Sequence, residues 1–336
     1  MGIYDAGEVI DEKAPGAGIA SYLRAFGIDV PDGTDIFQET SEGEGMPTEL
    51  YVLHDPEMLA TLDENLSHQS VGLVSPLGTG KTALREITLR EFGQRDEYIL
   101  DHLGGGGSET TRGILVRPLR RLLKAGYDFD ESVANRVVDG VPWKTEEVEA
   151  ALDDVARQAA ADGRNPVLIV DQIEKHDQTQ LDALQAVLDA GVRLFLMGTP
   201  RGRETVSDVL PALENRVRWI DRSIKSFAPG HTAEYVGKSL AYAADRTFDG
   251  PTYGGDPFSN YVEAVETGPF TADALEELTS VGRGNPRLIR LGCLTVLEEA
   301  ARAAGSGHDE MADNPDPIDR ELVQRATDTV EWAGEA

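Results

Sequence analysis

The chain has 336 residues, with 60 Asp and Glu against 31 Lys and Arg, a net charge of −29. At 40% hydrophobic and 27% charged it is globular in composition, long enough for about two domains of ~150 residues. Its one cysteine, Cys293, excludes an intramolecular disulfide and a cysteine metal cluster, the six histidines lack metal-ligand spacing, and no apolar run nears the ~20 residues that span a bilayer.

Residues 1–45 are rich in acids, Gly and Pro, and read as an acidic extension with a hint of a short helix at Tyr22, Leu23 and Phe26. They carry no basic and apolar leader, so a cytoplasmic protein is expected. From Thr48 the pattern changes. Glu49–Leu53 is a short apolar stretch, and Asp55 is placed to cap a helix running to Leu66. Val71–Val74 reads as a buried strand ending in a glycine-rich turn, followed by an amphipathic helix over Thr82–Phe92. Glu97–Leu100 is a second strand, and the run Gly104–Gly107 a flexible segment.

Helices are expected over Thr111–Lys124 and Lys144–Ala161. A buried strand, Pro166–Val170, then ends in Asp171. Gln178–Ala190 follows as a helix, with strands at Val192–Met197 and Val217–Ile224. Beyond His231 the sequence predicts helices alone: Thr232–Ala244, Thr271–Val281, Pro286–Ala303 and Ile318–Trp332. Near-continuous apolar strands alternating with helices call for a parallel sheet covered on both faces. The division read from the sequence is 1–45 extension, 46–227 α/β domain and 228–336 helical lid.

The sharpest local signal is Ser75-Pro76-Leu77-Gly78-Thr79-Gly80-Lys81-Thr82. It leaves an apolar strand and opens a helix, the context a phosphate-binding loop requires. Backbone N–H groups can curl around phosphates there, and the helix N-terminus adds partial positive charge. Lys81 would reach the β- and γ-phosphates of ATP, and Thr82 would hold Mg²⁺ through its hydroxyl. Ser75 stands where such loops usually carry glycine.

Val167–Asp171 has the form of a strand that delivers a carboxylate to the sheet edge, where Asp171 can orient Mg²⁺. Gln172 follows, at the place where hydrolytic ATPases of this kind carry glutamate. A glutamine can hydrogen-bond a water but cannot take its proton, and losing a positioned base costs ~10²–10⁴ in rate. The expectation is ATP binding with slow turnover, with Glu174 as a weaker substitute base.

With both motifs placed, the sequence resembles the AAA+ ATPases, and among them archaeal origin-recognition-type initiators and ExeA-like secretion and transposition ATPases. Besides the loop, the resemblance rests on Leu194–Pro200, Leu213–Val217, Phe227-Ala228-Pro229 and Gly284-Asn285-Pro286-Arg287. It implies a P-loop α/β core with an all-helical lid. It also implies sensing by Thr199, an arginine finger at Arg216 acting on a neighbour's ATP in an oligomer, and Arg287 reaching the γ-phosphate. Arg201 and Arg218 remain alternative fingers. Tyr51 and Val52 are placed near adenine by position alone. About 30 residues follow Gly305, so the winged-helix domain of origin-recognition-type initiators is not expected in this sequence.

One basic cluster stands out: Arg112, Arg117, Arg120, Arg121 and Lys124, interleaved with Ile114, Leu115, Leu119, Leu122 and Leu123. It is either a DNA or oligomer contact, or a solvated face pairing with surrounding acids. The acid excess runs along the whole chain, with 7 Lys against 24 Arg. That is the pattern of adaptation to molar salt, where the Debye length is ~3 Å and self-repulsion is screened. The functions left standing are an AAA+ ATPase or slow ATP switch, associated with DNA replication, mobility or segregation, and a non-enzymatic ATP-dependent scaffold for a protein, secretion or membrane partner.

Overall fold

Parallel strands cannot be joined by a hairpin, so each apolar strand must be followed by a crossover that returns the chain to the same end of the sheet. The computed structural model, which describes residues 17–37, 47–104, 109–254, 261–305 and 315–328, shows this arrangement. Two units are present. One holds residues 53–226, and the other joins residues 17–37 and 48–52 with residues from 227 onward.

In chain order, α1 (Ala17–Ala25) precedes α2 (Pro56–Leu66), β1 (Ser70–Val74), α3 (Lys81–Gly93), β2 (Tyr98–Leu103) and α4 (Thr111–Lys124). A short hairpin of β3 (Val137–Val138) and β4 (Val141–Pro142) leads to α5 (Thr145–Ala161) and β5 (Asn165–Val170). Then come α6 (Gln178–Asp189), β6 (Arg193–Gly198), α7 (Pro200–Val209), α8 (Pro211–Glu214) and β7 (Val217–Ile220). The five-stranded sheet is parallel throughout, in the order β2-β5-β6-β1-β7. β2 and β7 are its edges, and β6 lies between the phosphate-loop strand and the strand that ends in Asp171.

The central strands are buried on both faces, which explains their unbroken apolar runs. Ile114, Leu115 and Leu119 of α4 join Val148, Leu152 and Val155 of α5 and Leu181 and Leu184 of α6 in one core with Leu168, Val170, Leu194 and Leu196 of the sheet. The connections that follow β1 and β6 run toward opposite edges of the sheet. With right-handed crossovers their helices fall on opposite faces, which opens a crevice at the strands' C-terminal ends.

The second unit is helical: α1, α9 (Pro229–Ala243), α10 (Tyr261–Ala264), α11 (Ala272–Val281), α12 (Pro286–Gly305) and α13 (Arg320–Thr327). Tyr22, Leu23, Ile36 and Phe37 of the acidic N-terminal stretch are buried in its core beside Phe270, Leu275, Ile289, Val296 and Val323. Tyr22 donates its hydroxyl hydrogen to the Asp316 carbonyl at 2.8 Å. The start of the predicted extension, most of the Gly104–Gly107 segment and the end of the predicted last helix at Trp332 lie outside the described residues.

Candidate functional site

Three strand ends build the site. Val74 of β1 lies beside Gly198 of β6, and Val170 of β5 beside Leu196. Ser75 and Thr199 therefore sit side by side, with Asp171 two residues short of Thr199 at the same end of the sheet. The Ser75 N–H donates to the Gly198 carbonyl at 3.0 Å and fixes the start of the loop.

The loop turns on two glycines in the left-handed region, Gly78 (φ 77°) and Gly80 (φ 95°). Ser75 is not at positive φ, so a side chain costs nothing there. Its hydroxyl accepts a hydrogen bond from Thr79 Oγ1 at 2.8 Å, so the residue that departs from glycine ties the loop across its base. Lys81, nearly buried, donates from Nζ to the carbonyls of Ser75 at 2.6 Å and Pro76 at 2.8 Å. Burial pushes its ammonium pKa down, against the pull of Glu174 and Asp171. Leu77, at the tip of the loop, is 62% exposed. His54 packs against Gly80, where a Cβ would lie 3.2 Å from the imidazole.

Thr82 and Asp171, far apart in sequence, meet: Thr82 Oγ1 donates to Asp171 Oδ2 at 3.2 Å. Two hard oxygen donors at one point suit Mg²⁺, which binds through few protein groups and keeps most of its shell for water and phosphate. Among the described residues no cluster of three or more His, Cys, Asp or Glu could hold a metal. Asp171 is buried, and its Oδ1 accepts the Gln172 N–H at 2.9 Å.

Gln172 itself takes a left-handed φ of 55°, which ends β5 and turns the chain into a single 3₁₀ turn, Ile173–Lys175. Its side-chain Oε1 is buried without a hydrogen-bond partner. The turn brings Glu174 back to β6, where a carboxylate oxygen accepts the Thr199 N–H at 3.1 Å at the start of α7. Gly198 and Gly202 make room for it, since a Cβ on either would lie 2.6 or 2.8 Å from that oxygen. Glu174 thus stands at a helix N-terminus, where a negative charge is favoured.

Sequence reasoning missed Arg85. One turn beyond Thr82 on α3, it is buried and reaches Asp171 Oδ2 from Nη1 at 3.3 Å, while Nε and Nη2 hold Glu86. The only available signal was its spacing of three from Thr82, which puts both on one helix face.

The other predicted residues lie elsewhere. Arg216 precedes β7, whose Val217 lies beside Ser70 at the start of β1, the end of the sheet opposite the phosphate loop. It pairs with Asp189. Arg287 is exposed in the first turn of α12, in the helical unit, where Asn285 Oδ1 accepts its N–H at 3.0 Å. Tyr51 and Val52 are buried in that same unit, and Lys238 Nζ donates to the Tyr51 carbonyl.

The basic helix α4 covers the edge strand. Arg121 Nε donates to the Leu100 carbonyl at 2.9 Å, and Arg117 donates to the His102 carbonyl, two residues on along the same open side of β2. Arg112 donates to the carbonyls of Pro142 and Trp143. Arg120 and Lys124 are exposed. Three of the five bases thus satisfy backbone acceptors, and two of them blunt a sheet edge.

No known protein family and no curated protein matches the sequence. Similar solved structures include the ORC2 protein of Aeropyrum pernix in its ADP form, with TM-score 0.46 and 14% identity over 88% of this chain and 72% of that one. Domain III of the replication initiation protein DnaA of Thermotoga maritima gives 0.41 and 11%, over 86% of this chain and 98% of that one. PCH-2 of C. elegans gives 0.38 and 13%, over 81% and 66%. At these scores it is the sheet order and the loop geometry of the chain itself that define a P-loop α/β core with a second, helical unit. Among the described residues no helix is long and apolar enough to cross a membrane.

Proposed function

We propose that the chain is an ATP-binding switch that hydrolyses slowly and works as an oligomer. The observation that carries this reading is the meeting of Thr82 and Asp171 at 3.2 Å beside a loop whose lysine is already held inward. Lys81 would exchange the Ser75 and Pro76 carbonyls for phosphate oxygens, and Thr82 and Asp171 would hold Mg²⁺. When bound, that ion would offset the charge of the phosphates.

Slow turnover is supported by two residues that follow Asp171 in the chain. Gln172 cannot accept a proton, and the Glu174 carboxylate is engaged by the Thr199 N–H. Thr199 would report on the γ-phosphate from the tip of β6. Arg216, at the far end of the sheet from its own loop, suits a role on a neighbouring copy, and Arg287 one from the helical unit. The acid excess supports a cytoplasm at molar salt as the working medium.

ATP hydrolysis and ATP binding in molar KCl, with and without DNA, test the reading. Binding with turnover far below about 1 s⁻¹, the low end for ordinary enzymes, is the expected result. Turnover at that rate, lost in Lys81→Ala, overturns the slow switch. DNA-stimulated turnover assigns the chain to DNA work. Binding with no turnover under any condition favours the second reading, a scaffold that uses ATP only to assemble, which Gln172 also supports.

A further inference from the structure

We propose that Arg85 is a built-in counter-cation for Asp171, which lets this site hold a nucleoside diphosphate without a divalent metal. The inference rests on the nucleotide-binding reading above and concerns what neutralises the buried carboxylate when no metal is present.

Asp171 is 2% exposed, and a buried carboxylate keeps its charge only if it is paired and hydrogen-bonded. Three hydrogen bonds reach it without a metal. Oδ1 takes the Gln172 N–H at 2.9 Å, and Oδ2 takes both the Thr82 hydroxyl at 3.2 Å and Arg85 Nη1 at 3.3 Å. The oxygen that Thr82 shares is therefore the one the guanidinium touches. Arg85 cannot give up its proton, so its positive charge is permanent. Its side chain is only 11% exposed, which leaves this interaction weakly screened even in concentrated salt. Glu86 shares the guanidinium at 2.6 Å but is itself 27% exposed, so water carries part of its charge. Asp171 has no water to turn to.

A polyphosphate seated on the Ser75–Thr82 loop brings negative charge toward Asp171. With a bare carboxylate the two repel, and a divalent cation is needed between them. Here a cation already lies on Asp171, so the diphosphate can enter alone, and Mg²⁺ must compete with Arg85 for Oδ2.

Equilibrium titration with a fluorescent ADP analogue, in EDTA and in excess MgCl₂, tests this on the full chain. Wild type is expected to bind in EDTA within about threefold of its affinity in Mg²⁺. Arg85→Gln is expected to lose about tenfold in EDTA, equivalent to about 1.4 kcal/mol, and to recover in Mg²⁺. Arg85→Lys, which restores the charge, should stay near wild type. The double variant Arg85→Gln/Asp171→Asn, which removes both charges, should bind again in EDTA, a rescue that a merely structural arginine would not give. A loss of more than about tenfold by wild type in EDTA overturns the inference, whether or not Arg85→Gln folds, since each tenfold is a full 1.4 kcal/mol of metal dependence. Equal EDTA-to-Mg²⁺ ratios in wild type and Arg85→Gln also overturn it, with nucleotide binding intact. No binding by wild type in either buffer overturns the nucleotide reading itself.

Discussion

At the phosphate-loop corner a single arginine, Arg85, is buried against a carboxylate. At the edge strand two arginines, Arg117 and Arg121, lie on the backbone carbonyls of His102 and Leu100. The corner has no cluster of basic residues in the sequence, while the edge has the densest one in the chain. His102 stands between them, and its imidazole pKa is pushed down by burial first and then by both Arg85 and Arg117. The contrast teaches that, in so acidic a chain, a local density of positive charge can serve the backbone, while a lone buried base answers a single carboxylate. On α4 two of five partly or fully solvated bases close a sheet edge, whereas at the loop one buried base faces one buried carboxylate.

The largest effect that sharpens this contrast is expected from Lys81→Ala, which should lower ATP affinity about 100-fold in a fluorescence titration, as loss of charge-assisted bonds worth up to about 3 kcal/mol. An equal loss from Arg120→Glu/Lys124→Glu would break the contrast. Next, Gln172→Glu should raise ATP turnover at least about tenfold in a coupled assay, at the low end of what a positioned base gives. No rise would show that the left-handed Gln172 aims its side chain away from the reacting water.

Asp55 offers a third test, again of an arginine on a buried carboxylate. It caps α2 through the Met58 N–H and takes Arg222 at 2.7 and 3.1 Å and the Lys225 N–H at 3.0 Å. Burial pushes its carboxyl pKa up, but Arg222 and the N–H bonds outweigh burial and hold it below the usual carboxylate range. Its stabilisation is therefore complete above the unfolded value near 3.9 and is lost as pH falls through the lower folded value. Asp55→Asn should cost about 2 kcal/mol in denaturant unfolding at pH 7, less than for a fully buried pair because Arg222 is one-third exposed. The gap from wild type should close once pH drops below both values. A gap that persists there would assign the cost to packing.

Arg121→Ala should cost about 1 kcal/mol of stability, one hydrogen bond's net worth, and leave nucleotide affinity unchanged. The smallest effect is expected from Arg120→Glu/Lys124→Glu, within about 0.5 kcal/mol on stability because both side chains are exposed. A filter-binding assay in high KCl on the same variant reads DNA contact directly. Unchanged binding would remove DNA from this helix.

Much of the α/β unit was legible because each buried strand is a short apolar run bounded by a turn, and α2 opens on a cap, Asp55, that the sequence already offers. The meeting of Thr82 with Asp171 followed from two motifs on strands that end at the same edge. Arg85 was not legible, since its role depends on a carboxylate 86 residues away. The path of Glu174 was hidden by Gln172, a residue that gives no sequence sign of a positive φ. The small β3–β4 hairpin escaped because two-residue strands carry no periodicity. Residues 17–37 were masked by their acids: the side chains they bury, Tyr22, Leu23, Ile28, Val30, Ile36 and Phe37, are too widely spaced to read as one face.

That last segment has a consequence for how the chain is made. The helical unit is assembled from residues near both ends of the sequence, while residues 53–226 form the other unit in one stretch. During synthesis the sheet can close as soon as β7 has emerged, but Tyr22, Leu23 and Phe37 must wait more than two hundred residues for α11 and α12. Contacts of such sequence separation form late. The acids scattered among those waiting side chains would keep the nascent segment soluble in the interval, a use of charge that belongs to the ribosome-bound chain and not to the finished protein.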